Sequence, residues 1–218
     1  AHLNHNLRGN SSDEDQEFVR TLADRAGVRF ISEKIPTQKV VERKGSLENW
    51  AREQRYAFLS ETAAAVHAQK VALGHTMNDQ AETLLMRLLR GSGTAGMSGM
   101  APRRDVFIRP LLTIEHREVL EYLQLRGVDW REDDSNLDTR FLRNKLRASL
   151  IPSLRDYNPR IVQVLAGTAT ILREENEALR FWAREVFDRT AILDVDTVNW
   201  DVDFLVSLPS GLQKRLVS

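Results

Sequence analysis

One stretch constrains this chain more than any other. Lys70-Val71-Ala72-Leu73-Gly74 is a short apolar run closed by glycine, and it passes directly into His75-Thr76-Met77-Asn78-Asp79-Gln80-Ala81-Glu82-Thr83. The first part reads as a buried strand. The second reads as a helix start, with Asn78 as the expected cap and the helix running to about Arg90 before Gly91. A buried strand feeding straight into a helix is the unit from which parallel sheets are built. The alternation recurs upstream. His2 to Leu7 reads as a strand end running into a turn at Arg8-Gly9-Asn10. Ser12 opens a capping box with Asp15, and Phe18, Val19, Leu22, Ala23 and Ala26 follow at helical spacing up to Gly27. Val28 to Ile31 is the next predicted strand, and Ser46 is expected to cap a helix whose apolar face includes Trp50, Ala51, Phe58 and Ala63. The expected fold class is α/β with a parallel sheet.

Downstream, Gly91 to Gly99 is expected to be a flexible loop and Ile108 to Leu112 an extended segment. Thr113 is expected to open a helix that ends at Gly127. Asp133 to Asn136 reads as a polar loop, followed by an Arg-rich helix to about Leu150 and a break at Pro152. A long amphipathic helix is predicted from Pro159 to about Arg189, then an acidic, strand-like stretch from Ile192 to Phe204. The domain reading is a catalytic domain over 1–155 and, over 156–218, a helical linker with the start of a second domain.

Composition narrows the function classes. Cysteine is absent, so these residues offer no disulfide scaffold, thiolate metal site or cysteine nucleophile. No apolar run is long enough for a transmembrane helix and no signal peptide opens the chain, so a cytoplasmic protein without membrane contact is expected. The formal net charge is zero, which argues at first against nucleic acid. The distribution is uneven, however. Arg87, Arg90, Arg103, Arg104, Arg109 and Arg117 face only Asp105 and Glu115. Arg140, Arg143, Lys145, Arg147, Arg155 and Arg160 face only Asp156. Local basic surfaces can take phosphates whatever the total charge, although an ordinary solvated face accounts for the same runs.

Three motifs carry chemistry. Asp79 and Glu82 lie three apart at a helix start, at the carboxyl end of a parallel strand, where open α/β sheets bind ligands. Two carboxylates there suit Mg2+ on a nucleotide or an amine nucleophile; helix capping is the competing reading. Arg52 and Arg55 lie on one side of a helix and suit phosphate oxygens, or else intrahelical pairs with Glu48 and Glu53. Asp134-Ser135-Asn136 precedes Arg143, Asn144 and Arg147, in which the two arginines share a face as a second phosphate or RNA clamp. His5 and Arg8, past a strand end, form a weaker pair.

The order of these motifs carries more than any one of them. His2-Leu3-Asn4-His5-Asn6-Leu7-Arg8-Gly9, Ala51-Arg52-x-x-Arg55-Tyr56, Gly74-His75-x-x-Asn78-Asp79-Gln80-Ala81-Glu82-Thr83, Leu88-Leu89-Arg90-Gly91-Ser92-Gly93, Ile108-Arg109-Pro110-Leu111-Leu112, Asp134-Ser135-Asn136 and Arg143-Asn144-x-x-Arg147 together resemble the tRNA(Ile)-lysidine synthetases. These are N-type ATP pyrophosphatases, and the resemblance runs from His2 to about Arg160. It implies an adenine nucleotide α-hydrolase-like domain followed by a helical segment. It implies ATP as co-substrate with Mg2+, L-lysine as second substrate, and tRNA(Ile) with a CAU anticodon as partner; a homodimer is left open. The implied reaction adenylates the wobble cytidine, and lysine then displaces AMP through its side-chain amine.

On the family pattern Arg55 and Arg147 contact phosphate or cytidine. Asp79 and Glu82 become the lysine- or metal-facing acids, and these four are expected to converge on one cleft. His75 and Asn78 line the pocket, with Arg52, Arg90, Arg143, Asn144, His5 and Arg8 also in the substrate-binding set. The chain departs from the pattern at two points. The family's Ser-Gly-Gly-x-Asp-Ser phosphate loop, with the strand before it, does not occur in these residues, so a fragment inactive by itself is expected. The acid pair usual before Gln80 is Asn78-Asp79 here. Two alternatives stand beside this reading: a tRNA thiolation enzyme of the same superfamily, and a catalytically inactive RNA-binding fragment.

Overall fold

The computed structural model describes residues 1–41, 46–131, 141–195 and 197–217. Two compact units share the chain. The first comprises Ala1–Leu73, Arg103–Arg109 and Asp129–Arg131; the second comprises Gly74–Pro102, Pro110–Val128 and the described part of Glu132–Ser218.

The first unit holds the parallel strands. β1 (His2–Asn4) leads to α1 (Asn10–Arg25), and β2 (Ser32–Lys34) pairs parallel with β1, His2 opposite Ser32 and Asn4 opposite Lys34. α2 (Thr37–Val41) and α3 (Leu47–Ala65) follow, with Ser46 at the N-cap of α3 as expected. β3 (Val71–Ala72) pairs parallel with β5 (Phe107–Ile108), and β4 (Arg103–Arg104) lies antiparallel on the other side of β5. The α/β class with parallel strands is therefore correct. Apolar burial in this unit centres on Ile35, Ala51, Phe58, Ala63 and Phe107.

Two boundaries here differ from the sequence reading. The strand expected at Val28 to Ile31 lies at Ser32–Lys34 instead. Gly27 adopts φ +64, and the Val28 N–H still bonds back to the Ala23 carbonyl, so Val28 belongs to the helix end. Pairing with β1 then selects the polar Ser32-Glu33-Lys34 in place of the apolar run. α1 starts at Asn10, ahead of Ser12, which is buried inside the helix and accepts a hydrogen bond from the Arg8 N–H.

The second unit is helical. α4 (Met77–Leu89) packs on the 30-residue α9 (Ile161–Thr190), and between them in sequence come α5 (Thr94–Met97), α6 (His116–Leu125), α7 (Leu142–Lys145), a π-helical turn (Leu146–Leu150) and α8 (Ile151–Tyr157). Ala81, Leu85, Leu146, Ile151 and Val162 form the buried centre, joined by Met77, Met86, Leu150, Leu154, Ile161 and Leu165. The period of these positions is what places α4, the π turn and α9 around one core.

Several expected boundaries move in this unit. Thr76, not Asn78, is the N-cap of α4, because the Asp79 carboxylate reaches back to it. α6 starts at His116, capped by Glu115 with Glu118 in a capping box, three residues after Thr113. Pro152 is no break: it sits in the first turn of α8, and the helical backbone runs through it from the π turn. Ile108 to Leu112 is extended only through Ile108. The acidic stretch is a hairpin, β6 (Ile192–Leu193) with β7 (Val198–Asn199), and then α10 (Val202–Ser207); α11 (Ser210–Leu216) closes the described chain. The polar loop expected at Asp133 to Asn136 lies outside the described residues.

The glycine-rich segment is pinned. It contains α5, Arg87 donates to the Gly96 carbonyl, and Ser98 bonds to the Thr94 carbonyl. Gln80, buried in α4, bonds Met100 at both ends, amide to carbonyl at 3.1 Å and carbonyl from the Met100 N–H at 2.7 Å. Gly99 turns the chain into that staple with φ +62, and an added Cβ would stand 2.7 Å from the Gln80 amide. Gly99→Ala is therefore expected to lower unfolding free energy by about 1–2 kcal/mol from the left-handed backbone alone, and further because Gln80 cannot yield without abandoning Met100. Urea denaturation measures it; a neutral result would show that the staple is not rigid.

Candidate active site

The second unit brings together four of the residues singled out above. Asp79 and Glu82 are one turn apart at the start of α4; Arg143 of α7 and Arg147 of the π turn face them. Arg147 grips Glu82 with a two-pronged fork, Nε to Oε1 at 2.7 Å and Nη2 to Oε2 at 3.1 Å. Arg143 Nε stands 3.1 Å from the same Oε2, and its Nη2 donates to the Thr83 hydroxyl at 3.2 Å. Arg147 Nη2 also lies 3.6 Å from Asp79 Oδ1. The other Asp79 oxygen, Oδ2, accepts from the Thr76 N–H at 2.8 Å and the Thr76 hydroxyl at 3.0 Å.

Burial divides these groups. The Glu82 side chain is 1% exposed, Asp79 20% and Arg147 44%. Burial pushes the Glu82 carboxyl above its ordinary range, while the Arg147 hydrogen bond and charge pull the other way. For Arg147, burial works against the charge, but the Glu82 hydrogen bond and the charges of Glu82 and Asp79 hold its pKa above the ordinary value. The pair is the low-dielectric, charge-assisted kind, whose geometry is fixed more firmly than that of a surface pair.

The remaining second-unit candidates have distinct settings. Asn78 accepts a hydrogen bond from the His116 N–H with its side-chain oxygen, which ties the start of α4 to α6. His75 is half-buried just before the Thr76 cap, Asn144 is buried in α7, and Arg90 is exposed at the C-cap of α4. Mg2+ finds no evident protein cage: among the described residues no three acids or histidines cluster for a metal. Both oxygens of Glu82 are held by arginines.

In the first unit, His5 and Arg8 follow β1. Arg8 pairs with Asp15 at 2.6 Å. Both His5 ring nitrogens are enclosed without a hydrogen bond, and burial, then the Arg55 charge and His2, push its pKa down to about 4. His5 is thus neutral in the fold, yet takes a proton near pH 6.5 when unfolded. Between those values the unfolded state binds more protons, so stability falls as pH drops from 6.5 towards 4. His5→Phe is expected to flatten the melting temperature over that window; an unchanged slope would assign it to other groups, such as His2, which burial also lowers.

Arg52 and Arg55 extend from α3. Arg52 Nη2 donates to the Tyr56 hydroxyl at 3.2 Å and stacks 4.9 Å from the ring centre, so it pairs with neither Glu48 nor Glu53 in the geometry seen. Arg109, 6% exposed, donates to the same hydroxyl at 3.2 Å, and Phe107 meets the Tyr56 ring edge-on at 4.8 Å. The sequence placed Arg109 in a basic run and both Tyr56 and Arg109 in family motifs, but put neither among the site residues. The available signal was an arginine directly after an apolar strand, in Phe107-Ile108-Arg109.

Residues 1–154 match the PP-loop domain family. Proteins named tRNA(Ile)-lysidine synthase align along the chain: that of Geobacter sulfurreducens is 41% identical over 99% of this chain and 47% of its own length. That of Solibacter usitatus is 43% identical over 85% and 41%, and that of Symbiobacterium thermophilum 39% over 99% and 47%. The chain spans less than half the length of these curated relatives. Among solved structures, the U34-tRNA thiolase NcsA from Methanococcus maripaludis superposes with a TM-score of 0.64 at 13% identity, covering 79% of this chain and 61% of that one. At that identity the likeness is one of fold. No helix among the described residues is long and apolar enough to cross a membrane. With the family match covering well over half its residues and the parallel-stranded fold in place, the chain belongs to the ATP-binding PP-loop domain family.

Proposed function

We propose that the protein carrying this chain is a cytoplasmic tRNA(Ile)-lysidine synthase. Its substrates are ATP, L-lysine and a tRNA(Ile) with a CAU anticodon. The carbonyl oxygen of the wobble cytidine attacks the α-phosphorus of ATP, and pyrophosphate leaves. The lysine side-chain amine then attacks the ring carbon that bears the new C–O–P link. That C–O bond breaks, AMP departs, and the amine gives up a proton.

The observation that carries the reading is the cluster at the start of α4. Arg147, a half-exposed side chain, has its guanidinium held by a buried carboxylate, which suits negative charge developing on phosphate oxygens. Beside it Asp79 keeps one oxygen, Oδ1, engaged only at 3.6 Å, which suits an ammonium that must lose its proton. Phosphate activation and amine attack in one active site need both kinds of group. Mg2+ enters with ATP in this reading, bound by the phosphates, and no protein ligand is assigned to it. Arg55, with Arg52, is proposed as a further phosphate or cytidine contact, and His75 and Asn144 as pocket residues.

The test is incorporation of radiolabelled lysine into a tRNA(Ile) transcript by the full-length protein. Lysine, ATP and the CAU anticodon should all be required, with AMP formed in step. A transcript with uridine at the wobble position should be inert. Incorporation that ignores the wobble base, or sulfur transfer in its place, would defeat the reading.

A further inference from the structure

Two carboxylates start α4, and they stand in different situations. We infer that Glu82 is a positioning residue: it fixes the plane of the Arg147 guanidinium and does not meet the incoming amine. The inference rests on the proposed reaction and divides labour within it.

Three observations carry it. First, access: the Glu82 side chain is 1% exposed, against 20% for Asp79. Second, occupancy: both Glu82 oxygens are taken, Oε1 by Arg147 Nε, and Oε2 by Arg147 Nη2 with Arg143 Nε at 3.1 Å. An amine would have to displace an arginine from a buried carboxylate to reach it. Third, geometry: a guanidinium has five N–H groups in one plane, and a fork through Nε and Nη2 fixes that plane. The three remaining N–H groups, on Nη1 and Nη2, are directed away from Glu82, and the side chain as a whole is 44% exposed.

Arg143 completes the device. Its contact with the Thr83 hydroxyl ties it to α4, so Glu82 is braced from both α7 and the π turn. Asp79 is braced differently: Oδ2 is spent on the Thr76 cap and Oδ1 is left at the edge of the cluster. The geometry therefore gives the amine to Asp79 and the orientation of the phosphate-facing cation to Glu82.

The test uses the full-length protein and two readouts. Nitrogen NMR of the Arg147 side chain, identified by its loss in Arg147→Lys, should show two resolved Nη signals at neutral pH, because the fork blocks rotation about the guanidinium bonds. Glu82→Gln should merge them. It should also slow tRNA-dependent ATP–pyrophosphate exchange by about a hundredfold, the scale of a small misplacement at a reacting centre, with the KM for lysine changed less than about twofold. The double variant Glu82→Gln with Arg147→Lys should be no slower than Arg147→Lys alone. A large rise in the KM for lysine with exchange intact would overturn the inference, as would additive losses in the double variant. If Glu82→Gln does not fold, the wild-type signals decide: merged Nη resonances overturn it. Unchanged exchange in Arg147→Lys would instead defeat the assignment of Arg147 in the proposed reaction, which is a separate failure.

Discussion

Arg147→Ala is expected to damage both stability and chemistry, and to do so with a distinctive pH dependence. Removing the guanidinium strips Glu82 of two hydrogen bonds and leaves only Arg143 beside a carboxylate that is 1% exposed. Breaking a buried pair typically costs about 3–5 kcal/mol, and the retained arginine places this case at the low end. The pH sign follows from the raised pKa of Glu82. A carboxyl whose folded pKa lies above its unfolded value of 4.5 favours folding most when protonated, and that contribution is lost as pH rises through the folded pKa. Without Arg147 the folded pKa climbs further. The deficit should therefore be largest at neutral pH and shrink as pH falls through the two folded pKa values, which lie above 4.5. Denaturant unfolding of wild type and variant at pH 4 and pH 7.5 measures it. A deficit independent of pH would mean that lost packing, and not the stranded carboxylate, is the cause. Adenylation should fall by about 10²–10³-fold, the usual loss for one preorganised donor to a developing charge.

Asp79→Asn is expected to separate binding from capping. Asparagine keeps the volume, and its side-chain oxygen can still accept from the Thr76 N–H at the position of Oδ2. As an N-terminal residue of α4 it loses the charge that complements the helix dipole, about 0.3–1 kcal/mol, and with it the 3.6 Å pairing of Oδ1 with half-exposed Arg147. The melting temperature should thus fall little. Lysine incorporation should fall about tenfold to hundredfold, since charge-assisted hydrogen bonds carry roughly 1.5–3 kcal/mol and each 1.36 kcal/mol is a factor of ten. The loss should appear in the lysine step, with pyrophosphate exchange far less affected. Normal incorporation with a slightly lower melting temperature would leave Asp79 as a helix cap and nothing more.

Apolar periodicity identified the α/β class because strands and helices each bury one repeating set of side chains. It located α3, α4 and α9 well, because their core positions recur over many turns. It failed where a boundary depends on a partner far away in sequence. Val28 to Ile31 has the better strand composition, yet β1 pairs with Ser32–Lys34. No local preference encodes that register. At α4, both Thr76 and Asn78 are good caps, and only the reach of the Asp79 carboxylate decides for Thr76. The site shows the same pattern. Asp79, Glu82, Arg143 and Arg147 stand out in the sequence by type and spacing, and the fold brings the four together. That Glu82 would be enclosed and doubly paired was not legible there, because burial depends on how α7 and the π turn pack over α4. That Arg109 would be buried was illegible for the same reason: a charged residue in an extended segment is usually exposed, and its contact with the Tyr56 hydroxyl is made only in the fold.

The π turn at Leu146–Leu150 has a genetic corollary. Its defining bond runs from the Ile151 N–H to the Leu146 carbonyl, five residues back, one more than an α-helix spans. Such a turn is equivalent to a single inserted residue absorbed on the spot, so the helical phase on either side is kept. An in-frame loss of one codon at Ala148 would draw the turn towards α-helical pitch and set the Pro152 ring against the carbonyl of Arg147, then four residues back. A proline inside a helix costs about 3 kcal/mol or more. The wide turn is therefore what lets a proline follow Arg147 so closely within one helix, and the same width sets the direction in which that side chain leaves towards Glu82. Loss of this codon should thus register in expression and solubility as well as in the placement of Arg147.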